Sequence, residues 1–121
     1  DADTLTGGLG TDTLSGGMEA DAFVWGTIAE STPLGADTIT DFQHGVDLLD
    51  LALIDADGID MSDQAFAWGG QTAAVVANGL TWYESGSNTI LQGDTTGDTT
   101  PDFQVVLKGT GLGLTATDFH L

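Results

Sequence analysis

The sequence predicts an all-β fold in two parts: a short coil of parallel strands at the N-terminus, capped by an antiparallel, sandwich-like C-terminal half. Three observations carry this. Glycine and aspartate recur at a fixed nine-residue step near the N-terminus. Beyond residue 35, β-branched and leucine-rich runs alternate with Gly-Gly, Asn-Gly and Gly-Ser turn signals. No segment sustains helical periodicity.

The repeat comes first. Residues 7–15 read GGLGTDTLS and residues 16–24 read GGMEADAFV. Stepping by nine from Asp3 reaches Asp12, Asp21 and Glu30, and stepping by nine from Leu5 reaches Leu14 and Phe23. The pattern is that of the calcium-binding β-roll repeat of RTX proteins. Its physics is simple: glycines admit φ > 0 and let the first half of each repeat turn sharply, while one apolar side chain among small polar ones suits a short strand with a single buried face. Two nonapeptides complete a coil, so alternate turns stack on the same side. That stacking gathers carboxylates and carbonyls around a cavity, and Ca²⁺ takes roughly six to eight oxygens at about 2.3–2.6 Å.

On this register Asp3 is expected to pair with Asp21 and Asp12 with Glu30. Carbonyls of Gly8 and Gly10 support one turn, and those of Gly16 and Met18 the next. Asp21 is expected to extend to a further site with Asp37 or Asp41 on the following coil, for two or three calcium ions in all. Glu19 replaces the third glycine of the second copy, which predicts a strained turn. Residues 1–6 fit the last six positions of a preceding repeat, as in a fragment of a longer protein.

From Gly35 the segment GADTITDFQHGVDLLDLALID reads as strand, turn and strand about Gly45. Further strands are expected at 65–68, 72–77, 80–84, 88–91 and 103–107, with Asn78-Gly79 marking a hairpin. The organisation expected is residues 1–41 as repeats and last coil and residues 42–121 as cap and terminal region, in one continuous structural domain. Trp25, Trp68 and Trp82 fall in these strands and read as core rather than as a carbohydrate platform.

Charge limits what such a chain can bind. Among 121 residues, 19 acids face a single basic side chain, Lys108, for a net charge of −18. A polyanion or an anionic membrane surface would be repelled, which excludes nucleic acid as a partner. Cations would be attracted, and with no cysteine they must be held by oxygen. No apolar run approaches the ~18 residues of a membrane span. The chain has no HExxH and no GxSxG, so it is expected to be non-catalytic; His44 reads as a solvent-facing turn residue. Asp94, Asp98 and Asp102 recur every four residues, but the stretch has no closing Glu for an EF-hand and reads as a solvated polar turn. Residues 55–63 read as a surface loop.

Residues 16–55 resemble the end of the roll in the C-terminal domain of serralysin-type secreted metalloproteases. In that family a GGxGxDxFV repeat is followed by a polar loop, a DxIxDF strand and a GxDxID segment. Residues 88–107, NTILQGDTTGDTTPDFQVVL, are similar to the family's GDxxGDGxxDFxxxL segment, and residues 114–121 to its LTxxDF ending. The resemblance implies calcium ligation by Asp3, Asp12 and Asp21 with the glycine carbonyls, and by Asp37. It also implies an upstream catalytic domain in the parent chain and an extracellular destination. Export would use the type I secretion machinery, directed by an uncleaved C-terminal signal. Asp118-Phe119-His120-Leu121 fits the acid-then-apolar form of that signal, with His120 where an aliphatic residue is usual. The alternative is a polysaccharide-binding β-roll attached to a carbohydrate-active enzyme, of the kind appended to alginate epimerases.

Overall fold

The computed structural model describes residues 1–57 and 64–121. Five short strands wind the roll: β1 (Thr4–Leu5), β2 (Thr13–Leu14), β3 (Ala22–Val24), β4 (Asp37–Ile39) and β5 (Leu48–Asp50). Successive strands fall alternately in two sheets. In one, β1, β3 and β5 run parallel, with Leu5 opposite Phe23 and Phe23 opposite Leu49. In the other, β2 runs parallel to β4, with Leu14 opposite Ile39. The apolar position of each repeat thus stacks on its equivalent one coil later, as the nine-residue spacing requires.

The second half extends both sheets. It supplies β6 (Ala67–Gln71), β7 (Gly79–Ser85), β8 (Asn88–Gly93), β9 (Phe103–Lys108) and β10 (Phe119–His120). The sheets are ordered β1-β3-β5-β10 and β2-β4-β9-β8-β7-β6. Strands β7, β8 and β9 form an antiparallel meander. The turn from β7 to β8 is the two-residue loop Gly86-Ser87, with Gly86 at φ +61, the geometry that suits a tight hairpin. Strand β9 joins the roll parallel to β4, and β10 joins it parallel to β5.

One expectation from turn chemistry fails. Asn78-Gly79 is not a hairpin: Gly79 opens β7, which runs parallel to β6, and residues 72–78 are the crossover rather than a strand. The cause is local. Asn78 takes a left-handed φ of 52 and its amide donates to the Ala56 carbonyl, so the dipeptide turns the chain into β7 without reversing it onto the preceding strand. Of the expected surface loop at 55–63, residues 58–63 lie outside the described residues.

Among the described residues, one apolar cluster joins the two halves. Phe23, Trp25, Ile39, Leu49 and Leu51 from the roll pack with Leu80, Leu91, Phe103, Val105 and Leu107 from the meander, all fully buried. Trp25 meets Phe103 edge-on at 5.8 Å between ring centroids. Trp82 is buried, and Trp68 is half-buried against Phe119 at 4.8 Å, so the tryptophans serve the core as expected. By contrast Leu5 and Leu14, from the first coil, are only partly covered.

Candidate metal centre

Each repeat turn ends in an aspartate directly ahead of its strand. In the first copy Gly8 and Gly10 have φ of +80 and +118; in the second Gly17 and Glu19 have +96 and +82. Glu19 therefore adopts the conformation of the glycine it replaces, at a cost of about 1–2 kcal/mol for a non-glycine residue. The two turns are congruent. On the inner side of each lies a glycine with no room for a side chain: a Cβ on Gly7 would sit 2.8 Å from Asp12 Oδ2, and one on Gly16 would collide with Asp21 Oδ2.

Those two carboxylate oxygens share another property. Among the described residues, Asp12 Oδ2 and Asp21 Oδ2 are the only acidic oxygens that are buried with no hydrogen-bond partner. Burying an ionised oxygen without a partner is costly, and here it recurs at the same position in both copies.

The aspartates form two columns, one on each side of the roll. In the first, the Asp3 amide donates to Asp21 Oδ1 at 2.8 Å and the Asp21 amide donates to Asp47 Oδ1 at 3.1 Å. In the second, the Asp12 amide donates to Asp37 Oδ1 at 2.8 Å. The structure thus brings Asp3 and Asp21 together as expected and corrects two pairings. Asp12 faces Asp37, 25 residues away, not Glu30. Asp21 faces Asp47, which the nine-step missed, and neither Asp37 nor Asp41. The physical reason is the segment between β3 and β4, whose extra residues displace every later acid from the step of nine. A strand-by-strand register, rather than a fixed step, would have found Asp47 from the GxDxID segment.

The remaining candidates already have protein partners. Glu30 Oε2 accepts the Gly26 amide at 3.0 Å. Asp37 is fully buried and its Oδ2 accepts Trp25 Nε1 at 2.9 Å. Burial pushes the Asp37 carboxyl up, against the pull of the Trp25 and Asp12 donors. Asp41 accepts the Ser15 hydroxyl at 2.6 Å and the amides of Gly16 and Gly17. Burial alone would raise its carboxyl, but those donors outweigh it and hold the group below the usual carboxylate range. Met18 and Leu9, the variable residues of the two turns, project outward and are exposed.

The acidic loop between β8 and β9 differs from its expected character. Asp94 is fully buried, not solvated; its oxygens accept the amides of Thr96, Gly97 and Thr99, each at 2.9 Å. Burial alone would raise its carboxyl, but these hydrogen bonds outweigh that and hold the group below the usual range. Asp98 accepts the Thr100 amide and Asp102 accepts the Thr95 amide, so the loop is internally satisfied.

No three acidic or histidine side chains converge on one point among the described residues. A hard cation at Asp12 or Asp21 would therefore complete its shell largely with backbone carbonyls, which the glycine turns supply and which Ca²⁺ accepts readily. The donor set is all oxygen, the orphaned atoms are anionic, and the glycine cradle keeps the turn free of side chains. The residues fit a calcium ion.

The model of the Peptidase M10 serralysin C-terminal family matches residues 3–121. The chain belongs to that family. It describes the non-catalytic C-terminal part of serralysin-type proteases, calcium-binding β-roll modules of secreted proteins. Two similar solved structures are repeat subunits of a mannuronan C5-epimerase from Azotobacter vinelandii. The AlgE6R3 subunit shares 28% identity at a TM-score of 0.61, over 98% of this chain and 62% of that one. The AlgE6R2 subunit shares 26% at 0.62, over 98% of this chain and 70% of the other. This chain thus spans about 62% of the length of the first. A comparison with curated proteins returns no match. No helix among the described residues is long and apolar enough to cross a membrane.

Proposed function

We propose that the chain is the calcium-responsive C-terminal module of an exported bacterial protein, folding when it meets extracellular calcium. The observation that carries this is the pair of buried, unpartnered oxygens on Asp12 and Asp21, each set in a glycine turn. Calcium would be held there by Asp12 and Asp21, by Asp3 beside Asp21, and by carbonyls of Gly8, Gly10, Gly16 and Met18. When bound it supplies positive charge and ligand bonds that the unfolded chain cannot organise, so its binding energy becomes folding energy. Within the module, residues 1–41 present the calcium-facing coils, and residues 42–121 complete the roll with β5 and form the cap and the terminal region.

The charge of −18 supports the compartment logic. With calcium scarce, self-repulsion among clustered aspartates opposes compaction and keeps the chain extended, fit for a narrow channel. Outside, extracellular-type sites with Kd on the order of 10⁻⁴–10⁻³ M fill, and folding follows by mass action. Export through a type I channel, directed by Asp118-Phe119-His120-Leu121, and an upstream protease domain are the finer parts of this reading; family membership supports them. The similarity to epimerase repeat subunits supports a second reading, a module that contacts an anionic polysaccharide through bridging calcium. Alginate binding with and without calcium separates the two.

The direct test of the ligand set is a calcium titration followed by far-ultraviolet circular dichroism. Replacing both Asp12 and Asp21 by Ala is expected to raise the calcium needed for half-folding at least about tenfold, the worth of one charge-assisted contact. An unchanged midpoint would refute the assignment.

A further inference from the structure

The aspartate column on the Asp3 side has a last rung. Asp118 lies directly ahead of β10, as Asp3, Asp21 and Asp47 lie ahead of β1, β3 and β5. Like Asp21 and Asp47, it accepts an amide from the adjacent coil: the Gly45 N–H donates to Asp118 Oδ1 at 2.9 Å. Here the resemblance to Asp21 stops. Where Asp21 Oδ2 has no partner, Asp118 Oδ2 meets His44 Nδ1 at 2.7 Å and accepts the Thr115 amide at 2.8 Å. Asp118 is 1% exposed while the His44 side chain is 41% exposed. His44 is therefore no idle turn residue; it sits over the rung as a lid. The chain's other histidine bears on the same strand, with His120 Nδ1 3.3 Å from Asp50 Oδ1 on β5.

We propose that His44 and Asp118 form a latch that closes the roll with protein groups alone, docking the C-terminal strand where the first coils need a cation. His44 acts as a positioning residue: its ring and the Gly45 amide come from the turn between β4 and β5, so Asp118 gains these two partners, beyond its local Thr115 amide, only after that turn has formed. The turn is itself tied into the column, because Asp47 Oδ2 accepts the Gln43 amide at 2.8 Å while its Oδ1 accepts the Asp21 amide. Order at the Asp21 turn is thereby passed to the docking site of β10. Resting on the function proposed above, this gives the terminal acid two successive roles. Before folding it is free to be read by the export machinery; after folding its carboxylate is buried and Phe119 beside it is packed into the core.

The amide of Leu51 reports docking, since it donates to the His120 carbonyl at 2.8 Å, and the amide of Thr38, which donates to the Asp12 backbone carbonyl, reports the early coils. In the calcium-loaded chain, His44→Ala is expected to speed hydrogen exchange at Leu51 roughly tenfold and to speed removal of Leu121 by a carboxypeptidase, with Thr38 exchange unchanged. His44→Gln, which keeps a side-chain N–H donor, should recover part of the protection. Unchanged Leu51 exchange in His44→Ala, or equal acceleration at Leu51 and Thr38, would overturn the latch, as would a Gln variant no better than Ala. The calcium midpoint of folding is read separately by circular dichroism; its absence would refute the calcium reading while leaving the Leu51 comparison to judge the latch.

Discussion

The acids of the two repeat turns and the acids of the later loops are the same residue type in opposite situations. Asp12 and Asp21 each bury an oxygen that no group among the described residues satisfies. Asp41, Asp94 and Asp118 spend both oxygens on backbone amides, a hydroxyl or an imidazole. A net charge of −18 therefore does not mark eighteen places for a cation. What distinguishes a ligand from a structural carboxylate is the inventory of donors around it, and the contrast runs along the chain from the N-terminal coils to the cap.

The largest effect that would sharpen this contrast is at Asp94. Asp94→Ala leaves the amides of Thr96, Gly97 and Thr99 without their acceptor in a closed loop, which is expected to lower stability by about 3 kcal/mol. In denaturant melts the loss should be the same at saturating and at tenfold higher calcium. A loss that added calcium restored would make Asp94 a ligand and break the comparison.

Next in size is the glycine cradle. A methyl group at Gly16 would push Asp21 Oδ2 from its place, and one at Gly7 would crowd Asp12 Oδ2 less severely. Gly16→Ala is expected to raise the calcium midpoint several-fold, and Gly7→Ala less, because weakening one ligand of several costs about 1 kcal/mol. Equal midpoints for both variants and the native chain would mean that these oxygens do not face a metal.

The smallest effect is on acid stability. Asp41 and Asp94 have folded-state values lowered from 3.8, so their contribution is fully present above that pH and is lost as pH falls through the lower folded values. Asp37 is raised, so its contribution has the opposite sign: greatest at low pH and lost as pH rises through its elevated value. Stability measured against pH should therefore fall less steeply below 3.8 in Asp94→Asn than in the native chain. An unchanged slope would mean that the loop does not prefer the carboxylate.

Much of this was legible in the sequence, for a physical reason. Leu5, Leu14 and Phe23 keep a step of nine, and strands repeated at that step must stack, so the roll and the Asp3–Asp21 pairing followed from spacing alone. The register failed at the loop between β3 and β4, where insertion moves the partner of Asp12 from Glu30 to Asp37 and hides Asp47. Asn78-Gly79 misled because a left-handed Asn can deliver a strand into a parallel neighbour as well as an antiparallel one. The saturation of Asp94 and the contact of His44 with Asp118 had no local signal. The latter joins residues 74 positions apart, and only the folded structure brings the two together.

If calcium supplies the partner that the buried oxygens of Asp12 and Asp21 lack, the fold must depend on it. Far-ultraviolet circular dichroism of the chelator-treated chain should show a disordered spectrum that calcium converts to β and equimolar magnesium does not, because magnesium holds its waters and its tighter octahedron. A β spectrum that is the same in chelator and in calcium would contradict the account.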